Sequence, residues 1–142
     1  MLLNLSYNDK QIKEKTEVEV GKAFGIKERF KMGGIGSPKI FITDSSTEIN
    51  NLLILDNNIN SGSIELRPGG IILRFRSLLE TYGLIIPWYK LVIYKSNASE
   101  YTIYRDRYFV KIKGGSRLNV FIKKLLELKA DNSPANFDDP QK

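Results

Sequence analysis

The chain has no cysteine and no histidine among its 142 residues. Without cysteine there are no disulfides, thiolate nucleophiles, iron–sulfur clusters or cysteine zinc sites; without histidine the commonest general base and transition-metal ligand is missing too. Chemistry is left to carboxylates, lysine, tyrosine and hydroxyls, as in a paired-acid hydrolase or an oxygen-ligated magnesium site. Long apolar runs are also lacking. The longest, around Leu84-Ile85-Ile86-Pro87-Trp88-Tyr89, falls far short of the roughly 20 residues that span a bilayer. Met1 to Asp9 carries no basic leader and returns at once to polarity, so no signal peptide is expected and a cytoplasmic address follows. At that address the glycosylation-like tripeptides Asn4-Leu5-Ser6 and Asn97-Ala98-Ser99 have no physical meaning.

What is present is an ordinary globular composition, 42% hydrophobic and 27% charged, in a length that suits one domain. The net charge of +6 is uneven: residues 1–62 hold 8 Lys/Arg against 8 Asp/Glu, and residues 63–142 hold 14 against 8. The tail, residues 131–142, is acidic and poor in apolar residues, with Pro134, Asp138, Asp139 and Pro140, and is expected to be flexible. One domain is expected over residues 1–130.

Between residues 63 and 113 short β-like runs alternate with turn signals, the pattern of an antiparallel meander. Ser63 to Arg67 leads into Pro68-Gly69-Gly70, where proline presets φ and glycine is expected to supply a positive φ, and Ile71 to Arg76 returns. Period two places Ile71, Leu73 and Phe75 on the core face, with Ile72, Arg74 and Arg76 opposite. A run from Thr81 to Ile86 ends at Pro87, where a bend is expected, and another covers Tyr89 to Lys95. Tyr101–Tyr104 and Tyr108–Lys113 flank Arg105-Asp106-Arg107 as a tight hairpin. From Ser116, read as an N-cap, to about Ala130, the spacing of Leu118, Phe121, Ile122, Leu125 and Leu126 describes an amphipathic helix.

Residues 1–62 read as an N-terminal extension. Lys39–Thr43 reads as a strand and Leu52–Leu55 as a buried strand, while Asp9–Lys27 admits either an alternating strand around Lys15–Val20 or a polar helix. Gly33-Gly34-Ile35-Gly36-Ser37-Pro38-Lys39 lacks the Gly-Lys-Ser/Thr order of a phosphate loop and reads as a turn. The fold expected is therefore α+β and mainly β: a curved antiparallel meander or partly open barrel, capped by the C-terminal helix.

Three groups of residues could carry function. Arg67, Arg74 and Arg76 form a candidate anion patch. Tyr94, Tyr104, Arg105, Arg107, Lys111 and Lys113 form a basic aromatic surface of the kind that neutralises phosphates and stacks the bases of single-stranded nucleic acid; solvated strand faces carry the same residue types. Glu65, Glu80, Glu100 and Asp106 would have to converge in a pocket to act as catalytic acids. No catalytic residue, metal or cofactor is expected.

The run Ile85-Ile86-Pro87-Trp88-Tyr89-Lys90-Leu91, set in a meander that ends in an amphipathic helix, resembles the bacterial pleckstrin-homology-like family over residues 63–130. The resemblance implies a partly open barrel plugged by the helix and a role as a binding module. Arg67, Arg74 and Arg76 are similar to the family's basic residue and Arg-x-Arg that hold inositol phosphates, although Pro68-Gly69-Gly70 leaves almost no loop to wrap a headgroup. The role expected is that of a non-catalytic binding or scaffold module for a protein partner or an anionic ligand, with peripheral membrane contact or nucleic acid as further partners and the oligomeric state open.

Overall fold

The computed structural model describes residues 1–7, 9–55 and 60–132. Its elements run β1 (Leu2–Asn4), α1 (Lys10–Val20), α2 (Ile26–Met32), β2 (Ile40–Ser45), α3 (Thr47–Leu53), β3 (Ser61–Arg67), β4 (Gly70–Ser77), β5 (Glu80–Pro87), a 3-10 turn (Trp88–Lys90), β6 (Val92–Asn97), β7 (Glu100–Arg105), β8 (Tyr108–Lys113) and α4 (Ser116–Asp131). The fold is α+β. Among the described residues, eight strands form one antiparallel sheet in the order β1-β5-β4-β3-β2-β8-β7-β6, which leaves β1 and β6 as edges, so the sheet is not closed. Of the expected tail, Asp131 ends α4 and Asn132 caps it; residues 133–142 lie outside the described residues.

The meander is built as its alternation dictates. On β4, Ile71, Leu73 and Phe75 point into the main core, where they meet Leu118, Phe121, Ile122 and Leu125 of α4. These four apolar helix positions are all buried, and each contributes roughly 1.5–3 kcal/mol before entropy is subtracted. The fifth, Leu126, is 44% exposed. Gly115, not Ser116, occupies the N-cap position, and its carbonyl accepts from the Leu118 amide at 3.0 Å.

The opposite face of β4 is covered as well. Ile72, with Ile85 of β5, is buried beneath Val20 of α1, and Leu3 and Leu5 pack beside them. This explains why β4 and β5 read as nearly continuous apolar runs: both of their faces are covered. It also resolves the ambiguity at Asp9–Lys27 in favour of helix. An alternating strand would send Val18 and Val20 to one side, whereas Val18 is 86% exposed and Val20 fully buried. Asp9 caps the helix by accepting from the Gln11 amide at 2.8 Å, and Gly21 ends it at φ 83°.

Three further expectations need correction. Leu52 and Leu53 belong to helix α3 rather than to a buried strand. The run Leu52–Leu55 looks strand-like alone, but Ile49 and Leu53 are spaced i, i+4 and both are buried, while Ile54 and Leu55 are exposed. Gly69 does not adopt the positive φ expected of it. Crowding favours glycine there instead, because an added Cβ would lie 3.0 Å from the Val20 carbonyl group at the end of α1. Finally, the strand expected over Tyr89–Lys95 starts only at Val92, because the bend after Pro87 continues through the 3-10 turn. Trp88 fastens that bend, its Nε1 donating to the Pro68 carbonyl at 2.8 Å. Among the described residues, no helix is long and apolar enough to cross a membrane.

Candidate functional site

Arg67 and Arg74 converge, and the group between them is a carboxylate. Arg67 on β3 and Arg74 on β4 both donate to Glu65, Arg67 through Nε at 2.7 Å and Arg74 through Nη1. Arg67 also donates to the Gly21 carbonyl at 2.8 Å, tying the end of α1 to the sheet. Burial pushes the Glu65 carboxyl up, but the charge and hydrogen bonds of Arg74, then those of Arg67, outweigh it and leave the group below its usual range. The two arginines line a cleft of about 500 Å³ between α1 and the sheet, together with Lys13, Asp9 and Glu17. Counting Glu65, three cations there meet three carboxylates. Arg76 is exposed, stands opposite Thr81, and lies outside the cleft lining. An incoming anion would have to compete with Glu65 for donors already engaged.

Most of the basic aromatic residues do share a face. Tyr94, Tyr104 and Phe109 form a row across β6, β7 and β8, with successive ring centroids 5.9 Å apart. Lys111 and Lys113 alternate with buried Val110 and Ile112 and so lie on the same outer side. Yet carboxylates interleave: Lys111 stands opposite Asp44 on β2 and Lys113 opposite Glu100 on β7. Arg105 points the other way. It is only 8% exposed and donates through Nη1 to Glu19 of α1 at 2.7 Å and to the Ile85 carbonyl at 2.6 Å. Arg107 sits in the hairpin turn, paired with Glu48 at 2.8 Å.

The four candidate acids are held apart by different partners: Glu65 by Arg67 and Arg74, Glu80 by Tyr82, Glu100 by Asn97, and Asp106 by Lys90. The Lys90 hydrogen bond holds the Asp106 carboxyl below its usual range. Among the described residues, no group of three or more carboxylates is placed to hold a metal ion.

The most distinctive surface involves residues outside the three groups expected to carry function. A groove of about 530 Å³ runs between edge strand β6 and α4, lined by Ile93 and Lys95 on one side and by Ile122, Leu126 and Ala130 on the other. Tyr101 of β7 contributes to its lining, with its hydroxyl donating to Asn119 of α4 at 2.5 Å, and burial raises that hydroxyl above its usual pKa. Beyond β6 no described strand continues the sheet. The one available signal in the sequence is a fifth apolar position, Leu126, on a helix whose core-facing side takes only four.

Compared with known proteins, the chain matches no family model, no curated protein and no solved structure.

Proposed function

We propose that the protein is a binding module that takes an extended segment of a protein partner along the outer edge of β6, with the segment's side chains seated in the groove against α4. The observation that carries this reading is the coincidence of an unextended strand edge with an apolar trough beside it. An added strand gains main-chain hydrogen bonds from the edge, and its alternate side chains, about 7 Å apart, enter the groove. Edge strands are usually blunted by charge or bulges. Here Lys95 and the irregularity between Lys95 and Asn97 blunt only the far end, leaving Val92, Ile93 and Tyr94 open to pairing. Lys95 and Lys123 outnumber Glu127 at the groove, which favours a segment carrying acidic residues.

The strand order supports a pleckstrin-homology-like arrangement. The meander β5-β4-β3-β2 is followed by the meander β8-β7-β6, and α4 packs into the core as the resemblance implies. In such an arrangement a binding role is the expected one; β1, α1, α2 and α3 are additions to it. The neutral cleft at Arg67 and Arg74 and the interleaved carboxylates near Lys111 and Lys113 favour a protein partner over an anion or a nucleic acid.

A display screen for peptides bound by the full chain tests this, with amide chemical shifts followed on titration. Selected peptides should perturb Val92–Lys95 and the adjoining face of α4. Leu126→Glu should abolish binding and leave the fold intact, since that side chain is already half-exposed. Peptides bound equally by Leu126→Glu, or shifts centred on Tyr104, Phe109 and Lys111, would refute the groove. Oligonucleotide binding with a steep salt slope, lost on replacing Lys111 and Lys113, would instead assign the function to the outer face.

A further inference from the structure

Helix α2 carries a second surface, independent of the groove. In Ile26–Met32 the apolar side chains Ile26 and Phe30 are 81% and 87% exposed, an arrangement a seven-residue helix has no reason to present to water. At about 100° per residue, Ile26 and Phe30 point the same way, Arg29 flanks them on one side, and Lys27 and Lys31 flank them on the other. Met32, which packs against the core, lies on the inward side. The only acid of the helix, Glu28, falls diametrically opposite the apolar pair. Lys27, Arg29 and Lys31 are all exposed, with Arg29 steadied by its Nε donating to the Phe24 carbonyl at 2.9 Å, so three cations flank two apolar side chains.

The helix is tied to α4 at its C-terminal end. Lys124 of α4 reaches across to donate to the Met32 and Gly34 carbonyls at 3.1 and 3.0 Å, capping the end of α2. Gly33 belongs both to the depression lined by Ile26, Arg29 and Phe30 and to a neighbouring one lined by Arg117 and Val120. Val120 is 72% exposed, so the patch of alternating apolar and cationic side chains continues onto α4.

We infer that this face docks on an anionic lipid surface, with Ile26 and Phe30 entering the headgroup boundary and Lys27, Arg29 and Lys31 contacting the negative charge around them. An apolar pair with cations on both flanks suits a planar, negatively charged interface. A second copy of the chain is disfavoured by the same charges, because pairing two such faces would bring both cation sets together.

The test is flotation of the full chain with vesicles of phosphatidylcholine alone and with about one-third phosphatidylserine added, at about 0.1 M and about 0.5 M salt. Binding should require phosphatidylserine and weaken on raising the salt. It should fall at least about tenfold both in Ile26→Ser/Phe30→Ser and in Lys27→Glu/Lys31→Glu. Unchanged melting curves would show that both variants are folded, as expected for side chains this exposed, and Leu126→Glu should bind vesicles like the parent. Equal partition onto neutral and anionic vesicles, or binding indifferent to both double variants, would overturn the inference. So would a dimer in sedimentation that Ile26→Ser/Phe30→Ser dissolves, since the face would then belong to a second copy.

Discussion

Replacing Glu65 with glutamine keeps the shape of the side chain and removes its charge, so it isolates what the carboxylate does between two arginines. Glu65 is 16% exposed, Arg67 12% and Arg74 33%. Hydrogen bonds to charged groups contribute roughly 1.5–3 kcal/mol against about 1 kcal/mol for neutral ones. Downgrading the enclosed Arg67 bond therefore costs about 1 kcal/mol. The Arg74 bond, a third open to solvent and screened accordingly, costs about half that. The sum is about 1.5 kcal/mol, and at about 3 °C per kcal/mol for a domain of this size Tm should fall by about 5 °C at pH 7. The carboxyl titrates below its ordinary value in the folded protein, so its contribution is fully present above the unfolded value and is lost as the pH falls through the folded one. Parent and variant should therefore differ at pH 7 and converge in acid. Circular-dichroism melts of both proteins from pH 7 down to about pH 3 measure this. A gap under about 1 °C at neutral pH, or one that persists undiminished in acid, would show that Glu65 does not act as the charged tie between β3, β4 and the end of α1.

Two further substitutions should raise stability. Ser45 Oγ is buried and has no hydrogen-bond partner among the described residues, so Ser45→Ala removes a desolvated hydroxyl and should stabilise by about 1 kcal/mol in urea titration; a loss of stability would mean that the hydroxyl is satisfied in solution. Leu78, in the β4–β5 turn, sits at φ 58° and is 57% exposed. Leu78→Asn places a residue tolerant of left-handed backbone there without giving up much burial, and should raise Tm by about 3 °C; an unchanged or lower Tm would remove strain at that turn from the account.

Much of the architecture is legible in the linear chain because its signals are local. The alternation of Ile71, Leu73 and Phe75, the turn at Pro68-Gly69-Gly70, the hairpin at Arg105-Asp106-Arg107 and the stripe of Leu118, Phe121, Ile122 and Leu125 each need only neighbours in sequence to be recognised, and each lies where its period places it. The absence of cysteine and histidine likewise removes whole chemistries before any coordinates are known. Tertiary structure decided the remainder, because charge and exposure depend on what comes alongside. Arg67 and Arg74 read as free cations until Glu65 is seen between them, and Arg105 reads as a surface residue until α1 brings Glu19 to it. Ile93 and Leu126, 33 positions apart in sequence, become two walls of one groove only when α4 lies beside β6. The order of strands, with β2 at the end of one meander pairing with β8 of the next, comes from long-range pairing that no local period encodes, and that order is what leaves β6 at an edge.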